Sequence, residues 1–403
     1  MQDKTTAMAL DGLVVLDLSR ILAGPTATQL LGDLGATVIK IENPRTGGDD
    51  TRGWGPPYAA LADGDRGDLS AYFMSANRNK QSVAADLGTE EGRDLVTALA
   101  ARADVVIENY KPGGLVKFGL DHETLLSRHP GLVYCSISGF GQQGPNRDKP
   151  GYDLMAQGYG GIMSLTGAPD GPPMKVGVGI ADVMCGMYAS VGILAALRHR
   201  DRTGEGQHID LSLVDTQMSW LINEGTNFLT SGVPPQRRGN AHPNIVPYEV
   251  FEAWDGHVIV AVGNDAQFAR FCDVFDAAHL ATDPAYATNS ARLANRDALI
   301  AILRPLVAAR PVDWTVAQLE SVKVPVGPIN DVEQALNSDQ AHARAMTVDI
   351  EAPETAAGHV RLLGNPLKLS RTPVQYRRPP PRFGADTDMV RDMLEQDGST
   401  KGS

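Results

Sequence analysis

Residues 13–42, LVVLDLSRILAGPTATQLLGDLGATVIKIE, carry the pattern on which the fold turns. LVVLDL is an apolar run of strand length, SRILAGP is a loop, and TATQLLGDLG spaces its apolar residues along one helical face before ATVIKIE returns to a strand. Pro25 suits a first helical turn, where its missing N–H is no loss, and Gly35 suits the helix end. Strand, helix and strand make a βαβ unit. A dinucleotide fold would place G-x-G-x-x-G in the first loop, and SRILAGP does not supply it.

The alternation continues outward from this unit. SVAADL reads as a strand behind the basic cluster Arg78, Asn79, Lys80, which taken alone is solvated loop charge. A helix over Thr89 to Arg102 leads to the strand DVVIENY, with KPGGLVKFGL just beyond its carboxyl end. Ligands of open α/β sheets bind beyond strand carboxyl ends, so Lys111 and Lys117 stand where an anion reaches them. The helix DHETLLSRHP and the strand LVYCSISGFG follow. Then comes GYDLMAQGYGGIMSLTGAPDGPPMKVGVGIAD, residues 151–182, too rich in glycine and proline for a long regular element. Pro169-Asp170-Gly171 is an ordinary turn sequence, and Asp182 has the position of an N-cap for an apolar helix reaching about His199.

Breakers cluster between Ser231 and Pro247. Beyond them YEVFEAWDGHVIVAVGN reads as a hairpin around Trp254-Asp255-Gly256, followed by three helical patterns and a return through VPVGPIN, a helix, the strand-like VRLLGNPLKLS and a last helix in ADTDMVRDMLEQDG. The expected fold is α/β, with a Rossmann-like large domain built from both chain ends (1–225 and 323–403) and a smaller α+β domain over 226–322.

Composition narrows function. A formal charge of -12 over 403 residues argues against a general nucleic-acid binder, so a phosphate ligand must meet a local basic patch. Cys135, Cys185 and Cys272 are widely separated and lack metal-ligand spacing, which fits a reducing, cytoplasmic setting without disulfides. MQDKTTAMALDG is unlike a secretory signal, and the apolar run Met184 to Leu197 is too short to span a bilayer and reads as a buried helix. No zinc-ligand pair, G-x-S-x-G elbow or P-loop is present, no metal is expected, and His242 beside Pro243 reads as a loop histidine.

The blocks LDGLVVLDLSRILAGPTATQLLGDLGATVIKIE, ANRNKQSVAADL, DVVIENYKPGGL, TGAPDGPPMKVGVGIAD and FGADTDMVRDML together resemble the class III CoA-transferase family, which includes the α-methylacyl-CoA racemases; the likeness runs from about Leu10 to Gly398. The resemblance implies that Asp170, in its D-G-P-P turn, is the nucleophile. It would attack an acyl-CoA thioester to give a mixed anhydride and CoA thiolate. The thiolate would return to form an aspartyl-CoA thioester, from which an acceptor carboxylate takes CoA through a second anhydride. An aspartate, with an ordinary pKa of about 3.9, does this without a general base. Backbone N–H groups at Gly139, Gly141, Gly160 and Gly161 are candidate oxyanion donors, with a packing role as the alternative.

CoA and acyl-CoA are implied as substrates, with no tightly bound cofactor and a small carboxylic acid as partner. The positions that match the family's CoA site are Arg20, Ala23, Asn77, Arg78, Asn79, Lys80, Asn109, Tyr110, Lys111, Lys117, Ser138, Gly139, Phe140 and Gly141, with Arg78, Lys80, Lys111 and Lys117 as the basic patch. Arg20 or Leu22 stands where the family often carries histidine or glutamine, and Asn43 where it often carries arginine. An interlocked homodimer is implied. Racemases have a histidine where this chain has Tyr152 and an aspartate at Asp182; a phenol is a poor proton shuttle near neutrality, so transferase is favoured over racemase, with a silent acyl-CoA binder as the further alternative. GNAHPNIVPY stands where oxalate-using formyl-CoA transferases carry four glycines, a departure from formyl-CoA and oxalate specificity. GNAHPNIVPY and VGNDAQF look closer to family members acting on dicarboxylates such as succinate, glutarate or hydroxymethylglutarate. Arg237, Arg238 and His242 are candidates for a distal carboxylate, with exposed loop charge as the plainer reading.

Overall fold

The computed structural model describes residues 7–64 and 67–400. Six strands form one parallel sheet: β1 (Val14–Asp17), β2 (Thr37–Glu42), β3 (Lys80–Ala84), β4 (Val105–Glu108), β5 (Val133–Ser138) and β6 (Gln207–Ser212), in the spatial order β3-β2-β1-β4-β5-β6. This is the Rossmann order, and its direction reverses between β1 and β4. β4 and β5 are buried along their whole length, as the continuous apolar runs VVIE and VYCSIS require of central strands covered on both faces.

On one face Val15, Val105, Ile107, Val133 and Cys135 pack beneath α1 (Ala23–Asp33) and the helix Ile180–Thr203; on the other, Leu16, Val106 and Tyr134 meet Leu95, Leu99 and Leu125. Gly186 lets the two helices of the first face approach, because a Cβ there would lie 2.6 Å from the Ala23 carbonyl oxygen. The helix Ile180–Thr203 has 24 residues, longer than the apolar run suggested, and its length and hydropathy would suit a membrane span. Half of its most apolar stretch is nevertheless buried inside the protein, as in a core helix.

The chain divides into two compact units, one of residues 1–162, 175–232 and 340–403, the other of 163–174 and 233–339. Described N-terminal and C-terminal portions of the chain thus both contribute to the sheet-bearing unit. The expected boundaries at 225/226 and 322/323 fall elsewhere for local reasons. The helix Ile222–Ser231 runs through the first, and past the second the chain still adds a strand, β9 (Val326–Pro328), to the hairpin of β7 (Tyr248–Ala253) and β8 (Gly256–Ala261). Phe251, Val258, Val260, Phe268, Phe271, Leu299 and Leu303 form the core of the second unit. Its fully buried Arg292 is satisfied by the Val246 and Tyr286 carbonyls and by Asp265. In the first unit, β10 (Thr347–Glu351) and β11 (His359–Leu363) form an antiparallel pair, of which only the second carries a strand pattern in the sequence.

Candidate active site

The switch point is built by the loops that leave β1 and β4. The Arg20 N–H donates to Asn109 Oδ1 at 3.0 Å, and Asn109 Nδ2 donates back to the Arg20 carbonyl at 2.7 Å, so one side chain staples the two loops together. Ile21 takes a positive φ of 72°, a conformation costly for a β-branched residue, and its N–H is held by the Asp49 carboxylate. Buried Lys40 pairs with Asp49 at 2.8 Å and donates to the Ser19 carbonyl. Burial alone would raise Asp49, but Lys40 and the Thr51 donors hold it down at about 2. On this rigid frame Arg20 projects outward, paired with Asp50.

Tyr110, Lys111 and Lys117 are exposed beyond β4, and Ala23 is buried at the start of α1. Beyond β5, Ser138 Oγ accepts the Gly141 N–H at 2.8 Å, and Phe140 meets Tyr159 edge-on. Gly139 packs against Gly151 so closely that a Cβ on either would lie 2.5 Å from the other's Cα, and a Cβ on Gly160 would strike Gln217. Gly139 and Gly160 therefore have packing roles, and the Gly141 N–H is engaged by Ser138. Arg20, Asn109 to Lys111, Lys117 and Ser138 to Gly141 accordingly share the carboxyl edge of β1, β4 and β5.

Asn77 to Lys80 do something else, and the expectation of a basic patch there is corrected. Arg78 is buried and bonds Asp33 through two nitrogens, at 2.9 and 2.6 Å, while Asn79 and Asn365 donate to the same carboxylate. Lys80 is fully buried on Asp17, with Asn77 Oδ1 as a second acceptor. Burial would raise Asp17, but Lys80 and Lys40 hold its carboxyl below the usual range. Neither Arg78 nor Lys80 turns its charge outward as solvated loop charge would.

Asp170 lies in the second unit, exposed, in a turn closed by the Gly171 N–H to the Ala168 carbonyl at 3.0 Å. The loop is closed again outside by Met174 N–H to Thr166 O at 3.1 Å. Arg237 donates to the carbonyls of Ala168, Ser164 and Gly171, so its charge is engaged by this loop rather than being loose. His242 packs on Tyr248 and accepts the Asn244 N–H at Nδ1.

Back in the first unit, the expected capping role of Asp182 is also corrected. The N-cap of its helix is Gly179, and it is Asp153, 28 residues before Ala181, whose Oδ1 accepts the Ala181 N–H at 2.8 Å and the Asp182 N–H at 3.4 Å. Burial, then the neighbouring Asp153, push Asp182 up to about 7. Tyr152 is 59% exposed. Sequence reasoning passed over Asp153, and an acid starting a helix was the signal for it. It also passed over Glu108 and His208, which line a cleft of about 420 Å³ with Lys111, Ser136 and His122. Burial pushes Glu108 up to about 7, and burial with the stacked His122 ring pulls His208 down to about 4.

One unit carries an open parallel sheet with cationic loops at its switch point, and the other an exposed carboxylate turn; the first is an α/β layer with a ligand edge of nucleotide-binding type. The profile of CoA-transferase family III matches residues 10–387. The chain is 49% identical to a succinate–glutarate CoA-transferase of Agrobacterium fabrum, over 96% of both chains, and 37% identical to the succinyl-CoA:glutarate CoA-transferase of Homo sapiens, over 99% of this chain and 89% of that one. A CAIB/BAIF family protein from Brucella suis superposes with a TM-score of 0.86 at 47% identity, covering 96% of this chain and all of that one. The chain belongs to CoA-transferase family III, and is an enzyme that transfers CoA to a carboxylic acid.

Proposed function

We propose that this enzyme exchanges CoA between dicarboxylic acids of the succinate and glutarate class, through covalent intermediates on Asp170. The observation that carries the reading is an exposed carboxylate at the tip of a turn closed twice by backbone hydrogen bonds. Its oxygen attacks the thioester carbonyl and expels CoA thiolate, leaving an acyl–aspartyl anhydride. The thiolate attacks the aspartyl carbonyl of that anhydride, releasing the donor acid and leaving an aspartyl–CoA thioester. The acceptor carboxylate then repeats both steps in reverse, so no net proton or water is consumed. The printed activities of the Agrobacterium and human relatives support the acid class.

The phosphates of CoA are assigned to Arg20, Lys111 and Lys117, with Tyr110 and Ser138 to Gly141 along the same edge; Arg78 and Lys80 drop out. A panel of acyl-CoA donors against C2 to C6 mono- and dicarboxylates tests the reading: exchange confined to monocarboxylates would overturn it. In the same assay Lys111→Ala and Lys117→Ala are expected to raise KM for the CoA ester about three- to tenfold each, the scale of one exposed charge contact. The burial of Asp182 beside Asp153, which pushes its carboxyl up to about 7, favours proton transfer instead. Solvent deuterium entering the α-carbon of a 2-methylacyl-CoA without any acceptor acid would establish racemisation, and exposed Tyr152 argues that none enters.

A homodimer is part of the proposal, in a reducing cytoplasmic setting that the three buried free cysteines suit. Met187, Val191 and Leu194 form an exposed stripe at helical spacing on Ile180–Thr203, with Tyr188 beside them; Trp220 is exposed just past the helix Leu213–Ser219, and Ile222 and Phe228 on the helix Ile222–Ser231. Apolar surface in such quantity marks an interface in a soluble protein. Sedimentation equilibrium should give about twice the 43.0 kDa chain mass, and Val191→Glu should weaken the dimer; a monomeric wild type refutes this part.

A further inference from the structure

The turn that carries Asp170 is poor in hydrogen bonds of its own. In Ala168-Pro169-Asp170-Gly171-Pro172-Pro173, three of the six nitrogens are proline nitrogens without a hydrogen. The Ala168 and Gly171 carbonyls both belong to such tertiary amides. One internal bond, Gly171 N–H to Ala168 O, closes the turn. The remaining order is supplied from elsewhere in the same unit. Arg237 donates through Nη2 to the Gly171 carbonyl at 2.8 Å, through Nε to the Ala168 carbonyl at 3.3 Å, and through Nη1 to the Ser164 carbonyl at 3.4 Å. Its donors thus grip the carbonyls on both sides of Asp170, while Asp170 itself is left outside the grip. The stem fits as closely as the head: a Cβ on Gly167, whose φ is +121°, would lie 3.0 Å from the Pro172 carbonyl and 3.5 Å from Arg237 Cδ.

We propose that Arg237 is a positioning residue for the nucleophile, fixing the Ala168–Gly171 turn so that the Asp170 carboxylate meets successive anhydrides and thioesters in one geometry. This rests on Asp170 being the nucleophile. The physical need follows from the reaction. The same carboxyl group is acylated, thiolated, acylated again and released, so its backbone must return to one place through four changes of substituent. A misplacement of about 1 Å costs on the order of 10²-fold in rate. A planar guanidinium suits the task because its fork of donors reaches several carbonyls at fixed angles, whereas an ammonium offers a single point. The guanidinium offered as a ligand for the far carboxylate of a dicarboxylic acid is used instead on the protein's own backbone.

The test compares Arg237→Ala, Arg237→Gln and Arg237→Lys in the full-length enzyme by steady-state kinetics, and by hydroxylamine trapping of the Asp170 adduct after mixing with succinyl-CoA. Arg237→Ala is expected to lower kcat about 10²-fold, with adduct formation slowed in parallel and both KM values within about twofold, the pattern of lost alignment rather than lost binding. Arg237→Lys should recover about tenfold of that loss by restoring one donor. If the alanine variant fails to fold, the glutamine variant carries the same comparison. An unchanged kcat overturns the proposal. So does a rise in KM for the acceptor acid alone, which would make Arg237 a substrate ligand. Absence of any Asp170 adduct in the active wild type is read separately, since it would remove the nucleophile itself.

Discussion

Asp170→Ala is expected to lose CoA transfer by about 10³-fold or more while keeping its fold, because removing a covalent nucleophile removes the path itself and not one contact along it. Two features of the structure separate this outcome from a stability effect. The side chain is exposed, with no ion pair or hydrogen bond among the described residues, and the turn is closed by backbone groups and by Arg237, none of which the substitution touches. Surface replacements of this kind change stability by about 0.5 kcal/mol or less. Asp170→Asn keeps the shape and removes the attacking oxygen anion, so it should be as inactive as alanine. Asp170→Glu keeps the anion and moves it by one methylene, and is expected to retain a trace, about 10²-fold down. With an acyl-CoA donor the wild type should give a hydroxylamine-sensitive adduct on the peptide containing Asp170, and the three variants little or none. Wild-type turnover by Asp170→Ala would sink the covalent mechanism.

The sequence revealed what depends on neighbours along the chain. β1, α1 and β2 are legible because continuous apolar strands and a helical stripe are local patterns, and the parallel order follows once they alternate. What was misread depends on partners far away. The NRNK charges look like a solvated loop until Asp33 is brought alongside; Arg78 meets it across 45 residues, and bonds the Leu363 carbonyl across 285. Arg237 is an ordinary loop cation until the turn 66 residues earlier folds back onto it. Asp182 looked like a cap because an acid at a helix start is a local signal, whereas the true donor set belongs to Asp153. β10 was missed because only Ile350 in TVDIE is buried, which leaves little alternation to see. Burial of a charge is a statement about its partner, and for Arg78 and Arg237 no short window of sequence contains both.

Arg78, whose family position suggested CoA, is held by distant partners in the same way. Arg78→Ala should destabilise the enzyme by about 3–5 kcal/mol, since it leaves the fully buried Asp33 carboxylate without its cation. Asn79 and Asn365 still donate to Asp33 at 2.8 Å, so the site is not emptied, but neutral donors do not balance a buried charge. The loss is not confined to one pair. Arg78 also donates to the Leu363 carbonyl and lies over the Tyr376 ring, while the Gln375 N–H bonds the Asp33 carbonyl. The cluster therefore clasps the returning C-terminal segment to α1, and its failure should free that segment first. Limited proteolysis ought to cut Arg78→Ala between 345 and 380 under conditions where the wild type resists, with urea unfolding giving the free-energy loss. Replacing both partners, as Arg78→Met with Asp33→Asn, removes the stranded charge and should recover part of the stability. At temperatures where Arg78→Ala remains folded, its KM for CoA esters should match the wild type. A variant of full stability with a raised KM would return Arg78 to the CoA site, and would show that the clasp opens to admit substrate.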